Sequence, residues 1–264
     1  MPSTAPFAGK IALVTGASGG IGSACVRALA SAGADIAAAD VRFTELGESA
    51  LTHARQLGRS IYSRPFDIAD QSACEAFVNK AVESLGGIDL HVASAVYSDR
   101  EPFTTADMTG FRKTIDISMW GSYYMLRAVA NAMIRQKRGG AIVIVSSPHA
   151  QVPFPNCMAY NMAKAGQDAM ARTAAIELLP HKIRVNILHP GWTDTPGERK
   201  YFSEADLARV GPTLPSGRLA TADEMARGTL FLLDPANEHV NGTTLTMDGG
   251  LSLPWWSKRG TGGL

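Results

Sequence analysis

A serine, a tyrosine and a lysine occur at a spacing that suits proton transfer. Ser147, Tyr160 and Lys164 lie in the stretch SSPHAQVPFPNCMAYNMAKAG, and residues four apart, such as Tyr160 and Lys164, project from one face of a helix. A phenol with a pKa of about 10 is a poor base at neutral pH, but a nearby ammonium favours the phenolate. With Ser147 hydrogen-bonded to the substrate oxygen, the set predicts removal of a proton from an alcohol. The alternative interpretation is a solvated helix face.

A glycine-rich turn precedes these residues by more than a hundred positions and favours a bound pyrophosphate. The stretch TGASGGIG places Gly16, Gly20 and Gly22 between a predicted strand and a predicted helix. Glycines permit a tight turn and close approach of a ligand, and the amides at a helix start attract negative charge. An ordinary strand-to-helix turn explains the same pattern when it stands alone.

An acidic residue at the end of the second predicted strand strengthens the prediction that the glycine turn binds a dinucleotide. Asp40 closes the run DIAAAD, where a carboxylate accepts hydrogen bonds from the ribose hydroxyls of an adenosine and repels a 2′-phosphate. Residue 19 is a glycine and offers no basic side chain for that phosphate, although Arg42 lies close by. The residues therefore predict NAD as cofactor in preference to NADP.

A sheet and helices must position these side chains, and the hydrophobic pattern predicts both. Short β-rich runs alternate with longer helical patterns, which predicts an α/β fold with a doubly wound, seven-stranded parallel sheet and helices on both faces. The predicted strands are IALVTG, DIAAAD, SIYSRPF, IDLHVAS, AIVIVS, IRVNIL and TTLTMDG. No repeat or linker divides the chain, so residues 1–264 are expected to form one domain, with an irregular span at 191–217 and a tail at 251–264.

Taken together, these motifs resemble the classical short-chain dehydrogenase/reductase family from Lys10 to about Gly250. The resemblance implies a single Rossmann-type domain, hydride transfer with NAD or NADP, and a homotetramer. It also implies that Tyr160 is the acid/base, that Ser147 polarises the substrate oxygen, and that Lys164 lowers the pKa of Tyr160 and binds the nicotinamide ribose. The further cofactor contacts that it implies are Ser18 and Ile21 in the glycine turn, Asp67 and Ile68 near the adenine, and Pro190, Gly191, Thr193 and Thr195 near the nicotinamide and phosphates.

Two departures from the family pattern affect this resemblance. Residues 93–96 read Ala-Ser-Ala-Val where the family has Asn-Asn-Ala-Gly, and Ser118 stands where a helix asparagine completes a proton relay. A serine hydroxyl is shorter but still donates and accepts hydrogen bonds, so we expect Ser118 to support slowed or rerouted proton exchange. A degenerate dinucleotide-binding sensor or scaffold is the alternative that these changes leave open.

Residues between the serine and the tyrosine bear on the substrate. The stretch is similar to that of bacterial glucose 1-dehydrogenases, which suggests that His149 binds a sugar or polyol; packing over the helix start is an equal alternative. Asp99, Arg100 and Glu101 are expected on the same rim, as polar contacts or as a solvated charge run. Trp192, in the irregular span, is expected in a lid over the substrate. A 3-oxoacyl thioester or other ketone reductase is the rival function, which Asp40 disfavours because that class uses NADPH.

Composition excludes several other classes of protein. A net charge of +1 gives no electrostatic case for nucleic acid or an anionic membrane, and no stretch is long and apolar enough to cross a bilayer. Three cysteines without C-x-x-C spacing predict neither disulfides nor bound metal, and we expect a cytoplasmic protein. In the tail, Trp255 and Trp256 are expected to dock across a subunit interface or near a neighbour's pocket.

Overall fold

A seven-stranded parallel sheet forms the centre of the computed structural model, which describes residues 5–254. The sheet order is β3-β2-β1-β4-β5-β6-β9, and the sequence prediction of this sheet is confirmed. The strands are β1 Ile11–Thr15, β2 Asp35–Asp40, β3 Ile61–Pro65, β4 Leu90–Ala93, β5 Gly140–Val145, β6 Ile183–Pro190, β7 Thr193–Asp194, β8 Ala220–Thr221 and β9 Thr244–Met247. β7 and β8 pair with each other in a separate two-stranded ribbon.

Helices cover both faces of the sheet. They are α1 Gly20–Ser31, α2 Glu45–Gln56, α3 Gln71–Leu85, α4 Met108–Ile115, α5 Ser122–Gln136, α6 Met158–Glu177, α7 Glu204–Val210 and α8 Ala222–Leu233. Successive strand side chains point to opposite faces, so β5 sends Val143 into the core beneath α1, α2 and α8 and Ile142 into the core beneath α3, α5 and α6. No helix within residues 5–254 is long and apolar enough to span a membrane.

The chain reverses its direction of winding at β1, and this reversal locates the functional edge. β1 pairs with β2 on one side and with β4 on the other, so the loops that follow β1 and β4 diverge at the carboxyl edge of the sheet. Such a switch point is where open parallel sheets bind ligands. The segments that follow β1, β4, β5 and β6 contain nearly all the residues singled out by the sequence.

Two segments differ from the sequence expectation. The span 191–217 contains β7, a 3₁₀ turn at Pro196–Lys200 and α7, because Ser203 and Asp206 form a capping box that starts α7. The stretch FRKTIDISMWGSYYMLRAVANAMIRQKRGG, which starts at Phe111, predicts one long helix. In the structure α4 begins at Met108, where Asp107 caps it, and a π-helical turn at Asp116–Gly121 separates α4 from α5. The tail residues Trp255 and Trp256 lie outside the described residues.

Candidate active site

The hydroxyls of Ser147 and Tyr160 meet at the carboxyl edge of the sheet. Ser147 follows β5 directly, and Tyr160 lies in the first turn of α6. Ser147 lies close enough to the Tyr160 phenol to favour its ionised form by hydrogen bonding, which acts to lower the pKa of Tyr160. The oxygen of Ser147 also accepts a hydrogen bond of 3.2 Å from the backbone amide of His149, which fixes its orientation. The fold thus brings together the serine and tyrosine that lie thirteen residues apart in the chain.

Lys164 lies one turn further along α6 and is buried, with 2% of its surface exposed. Its Nζ donates to the carbonyl of Val145 at 2.8 Å and to Oε1 of Gln167 at 2.9 Å, and it lies 5.4 Å from the centre of the Tyr160 ring. Burial lowers the pKa of Lys164 to about 7, although the negative charge of Asp168 acts in the opposite direction. The lysine and tyrosine therefore share a helix face, as their spacing predicts.

The pKa of Tyr160 lies above its ordinary value in the protein without a cofactor. Burial raises this pKa to about 12, against the lowering effects of the Ser147 hydrogen bond and the positive charge of Arg100. Lys164 does not offset the burial, because its hydrogen bonds go to Val145 and Gln167 and its own pKa falls to about 7. Desolvation thus disfavours charge on both groups in the protein without a cofactor, and the role of Lys164 in keeping the phenol poised to ionise stays a prediction.

Gln167 is a polar contact that the sequence analysis missed. It is fully buried, and its Nε2 donates to the carbonyl of Ser118 at 2.6 Å and to Oγ of Ser122 at 2.7 Å, while Oε1 accepts from Lys164. A buried side-chain amide with every group paired is a fixed connector. The signal in the sequence was a glutamine three residues after Lys164, on the face of α6 that its other residues predict to be buried.

Ser118 has a different role from the one expected of it. Its hydroxyl donates to the carbonyl of Tyr97 at 2.6 Å and accepts from the amide of Tyr97 at 2.9 Å, so it holds the loop after β4. Only the carbonyl of Ser118 faces Gln167. Among residues 5–254 no hydrogen bond joins the Ser118 hydroxyl to Lys164, so the geometry does not place this hydroxyl in a relay. The carbonyl of Tyr97 takes the single donor of this hydroxyl, and the amide of Tyr97 takes one of its two acceptor sites.

The glycine turn after β1 is as tight as its composition suggested. Gly16 has φ +67°, and a Cβ there would lie 2.7 Å from the amide nitrogen of Ala95. A Cβ on Gly22 would lie 2.0 Å from the carbonyl oxygen of Gly16. Helix α1 starts after Gly19 without a side-chain cap, so the amides of its first turn are available to an anion.

The residues around the adenosine end of the predicted cofactor site are also near this turn. Oδ2 of Asp40 accepts a hydrogen bond of 2.9 Å from the amide of Ser18, and Thr44 at the start of α2 contacts the Ser18 hydroxyl. Asp67 is exposed after β3, with Oδ1 accepting from the Ala69 amide at 2.9 Å. Ile68 beside it is buried. The donor-rich turn, the carboxylate at the end of β2 and the residues Asp67 and Ile68 after β3 together fit a dinucleotide.

The stretch after β6 joins the same site. A Cβ on Gly20 would lie 2.5 Å from Cγ2 of Thr195, so Thr195 packs directly on the start of α1, next to Ile21. Pro190 is the last residue of β6, and the Thr193 hydroxyl donates to the carbonyl of Gly191 at 2.9 Å. The structure thus brings the residues 190–195 against the glycine turn, as the resemblance implies.

His149 and Trp192 occupy the side of the site away from the glycine turn. The His149 ring stacks on Phe154 at 4.3 Å and meets the Tyr160 ring edge-on at 5.0 Å. Its Nδ1 lies 2.8 Å from Oδ1 of Asn161, and burial lowers its pKa to about 4. His149 is therefore neutral, with Nδ1 as the donor to Asn161. Trp192 donates from Nε1 to Glu198 at 2.9 Å.

Comparisons with known proteins agree with this geometry. A family model described as enoyl-(acyl carrier protein) reductase matches residues 16–252. An L-rhamnose 1-dehydrogenase (NAD(P)(+)) of Sphingomonas sp. (strain SKA58) is 32% identical over 92% of this chain and 96% of its own length. A trans-4-hydroxycyclohexanecarboxylate dehydrogenase of Sinomonas cyclohexanicum is 34% identical over 91% of this chain and 92% of its own length. The crystal structure of an NAD⁺-bound xylitol dehydrogenase superposes with a TM-score of 0.85 at 31% identity, covering 92% of this chain and 99% of that one.

Proposed function

Because the chain belongs to the short-chain dehydrogenase/reductase family, we propose that it moves a hydride between a secondary alcohol and NAD, with Tyr160 as the general acid/base. Its relatives make it an NAD(P)-dependent oxidoreductase of hydroxyl groups. The observation that carries the proposal is the position of Ser147 directly after β5 and of Tyr160 in the first turn of α6, at the same sheet edge as the glycine turn that leads into the uncapped helix α1. A dinucleotide-binding scaffold that catalyses no reaction does not need Ser147 and Tyr160 at this edge of the sheet.

The protein's own groups handle the substrate proton. In the oxidation direction Tyr160 accepts the proton of the substrate hydroxyl while Ser147 donates a hydrogen bond to the same oxygen. The pKa of Tyr160 is about 12 in the protein alone, so added positive charge beside the phenol is needed to bring it towards neutrality. Within residues 5–254, Lys164, whose Nζ lies 5.4 Å from the centre of the Tyr160 ring, and Arg100, whose charge acts to lower the pKa of Tyr160, are candidates to contribute such charge.

NAD is the cofactor that the residues fit best. The α1 amides after Gly19 would hold the pyrophosphate, Asp40 the adenosine ribose, and Lys164 and Thr195 the nicotinamide half. When bound, the oxidised nicotinamide supplies the hydride acceptor and a positive charge. The Asp40 carboxylate supports NAD over NADP, since it repels a 2′-phosphate.

A sugar or polyol is the substrate class that we propose. Two similar proteins are named for rhamnose and xylitol, and neutral His149 and the Trp192 region line the substrate side with polar and aromatic groups. The hydroxycyclohexanecarboxylate dehydrogenase provides a second candidate class, the hydroxy acids.

We further propose a cytoplasmic homotetramer. The three cysteines are all free and buried, which suits a reducing compartment. Exposed apolar side chains include Trp120 in the π-helical turn, Tyr123 at the start of α5 and Met162 on α6, and groups of such residues are typical of subunit contacts. Light scattering of the wild type and of Trp120→Lys tests the assembly; an unchanged mass in the variant would argue against this face.

The central experiment is a substrate panel with a tyrosine variant. Sugars, polyols, mono-alcohols and hydroxy acids are incubated with NAD or NADP, and reduced nicotinamide is followed by absorbance. We expect turnover with NAD and a loss of about 10²-fold or more in Tyr160→Phe, while Tyr62→Phe, which changes a tyrosine of β3, retains the wild-type rate. Undiminished turnover in Tyr160→Phe would remove this residue from the mechanism. NAD binding without turnover of any alcohol would support the sensor.

A further inference from the structure

The guanidinium of Arg100 carries an unused hydrogen-bond donor. Its Nε is buried and has no hydrogen-bond partner in the part of the chain that the structure describes. The group stacks on Tyr201, with Cζ 3.9 Å from the ring centre, and its closest anion is Oε1 of Glu198, 3.9 Å from Nη2. A buried charged donor without an acceptor costs about 1 to 3 kcal/mol, and such groups are uncommon outside functional sites.

Glu198 carries the complementary unused acceptor. Its Oε2 accepts from Trp192 at 2.9 Å, whereas Oε1 has only the 3.9 Å approach of Arg100 among residues 5–254. That distance is too long for a hydrogen bond. Both side chains are mostly shielded from solvent, with exposed fractions of 27% for Arg100 and 21% for Glu198. Nη2 of Arg100 and Oε1 of Glu198 therefore lie opposite each other, at a distance that leaves room for a bridging group but is too long for a direct hydrogen bond.

The pair is fixed in place, and the residues on either side of Arg100 line one cavity with Met158 and Ala159, which directly precede Tyr160. Lys200 donates to the carbonyl of Ser98 at 2.8 Å and to Asp99 at 2.9 Å, and the Tyr201 hydroxyl also donates to the Ser98 carbonyl. These bonds lock the loop after β4 to the span that contains Glu198. The charges of Arg100 and Glu198 act in opposite directions on the pKa of Tyr160, so both lie within electrostatic range of its phenol.

A hydroxyl group satisfies both members of this pair at once. It accepts from Arg100 and donates to Glu198, whereas a carboxylate offers acceptors only and meets the negative charge of Glu198, and an ammonium meets that of Arg100. Resting on the proposed function, we infer that Arg100 and Glu198 form a subsite for a second hydroxyl of the substrate, next to the hydroxyl that reacts at Tyr160. The substrate is then a diol or polyol, in preference to a mono-alcohol or a hydroxy acid.

The walls of the subsite suit the carbon skeleton of such a molecule. Trp192 and Phe202 pack at 5.0 Å between ring centres, and Phe202 also lies beside the Arg100 guanidinium. Aromatic faces cover the C–H surface of a ring or chain while its hydroxyls turn to polar groups. A diol or polyol therefore makes a contact with Arg100 and Glu198 that a mono-alcohol, with no second hydroxyl, does not make.

The test compares substrates in the full-length enzyme with saturating NAD. The values of kcat/KM are measured for cyclohexanol, trans-cyclohexane-1,2-diol and trans-2-hydroxycyclohexanecarboxylate, and for the members of the wider panel grouped in the same three classes. We expect Arg100→Met to lower the diol-to-mono-alcohol ratio by about 10- to 100-fold, the range for a hydrogen bond to a charged group. Arg100→Lys keeps the positive charge but loses the planar guanidinium with its Nη2 donor, and it should lower the same ratio. Any effect of Arg100 on the pKa of Tyr160 cancels in the ratio.

A second variant separates recognition from simple loss of structure. Glu198→Gln removes the negative charge, so the hydroxy-acid-to-diol ratio should rise by about 10-fold or more. The matched controls Arg209→Met and Glu204→Gln change exposed residues of α7 and leave both ratios at the wild-type value.

The results distinguish failure of the Arg100–Glu198 subsite from failure of the proposed function. A wild type that oxidises mono-alcohols or hydroxy acids in preference to diols, or ratios unmoved by the Arg100 and Glu198 variants, overturns the subsite and leaves the proposed function standing. A wild type that oxidises no alcohol of the panel overturns the proposed function, and the subsite with it.

Discussion

Replacing Gln167 by methionine tests how the protein controls the charge of Lys164. Methionine has a similar length but accepts no strong hydrogen bond, so the Lys164 ammonium loses the 2.9 Å bond to Oε1 and keeps the bond to the carbonyl of Val145. A hydrogen bond to a charged group contributes about 1.5 to 3 kcal/mol, which corresponds to about 1 to 2 pKa units. The pKa of Lys164, already lowered to about 7 by burial, should therefore fall further.

The assay is the dependence of kcat/KM on pH with NAD and an alcohol that the wild type oxidises. Because the mechanism needs the positive charge of Lys164, the alkaline limb of the profile should move by about 1 to 2 units to lower pH in Gln167→Met. Gln167→Glu retains an acceptor for Lys164 and should leave that limb in place or move it to higher pH. Gln71→Met, which changes an exposed glutamine on α3, is the matched control.

Stability gives a second readout of the same substitution. Gln167→Met also removes the two donor bonds to Ser118 and Ser122, which should cost about 2 to 4 kcal/mol and lower Tm by about 5 to 15 °C for a chain of this size. A folded Gln167→Met enzyme whose alkaline limb coincides with that of the wild type would refute the reasoning, because the glutamine would then stabilise the fold without affecting Lys164.

Three further predictions concern the cofactor turn and the buried lysine. Asp40→Ser should raise the NADP-to-NAD ratio of kcat/KM by about 10-fold or more by removing a repelling carboxylate; an unchanged ratio would contradict its assigned role. Gly22→Ala should weaken NAD binding by about 10-fold or more in fluorescence titrations, because its Cβ would lie 2.0 Å from the Gly16 carbonyl, whereas Gly211→Ala, which meets nothing closer than 3.8 Å, should bind normally. Burial sets the pKa of Lys164 at about 7, below its ordinary 10.5, so its cost to the fold is full below pH 7 and shrinks as pH rises. The gain in unfolding free energy of Lys164→Met over wild type should therefore fall by about 3 kcal/mol between pH 7 and pH 9 in urea titrations, and a gain independent of pH would show that the lysine is not buried as a charge.

The local patterns in the sequence were sufficient for the sheet and for the sites at its edge. Each predicted strand is an apolar run that ends at a turn, and each glycine or acid that follows such a run lies at the carboxyl edge once the strands are parallel. The tight contact of Gly22 with Gly16 and the position of Asp40 after β2 follow from neighbours in the chain. For the same reason the shared helix face of Tyr160 and Lys164 was predictable.

Contacts between distant segments could not be predicted in this way. The loop after β4 and the span after β6 approach each other only in the folded chain, which is how Arg100 meets Glu198 and the Ser118 hydroxyl comes to hold Tyr97. The capping box of α7 is encoded by Ser203 and Asp206 three residues later. The surrounding prolines and glycines favoured the interpretation of this span as irregular.

The sequence by itself determined which chemical groups the protein has and at which edge of the sheet they stand, since strand order and helix periodicity are encoded over short distances. Only the tertiary structure decided the charge states of those groups. The pKa values of Tyr160 and Lys164 move to about 12 and about 7 because desolvation depends on everything that packs around a side chain. Spacing along a helix does not contain that information.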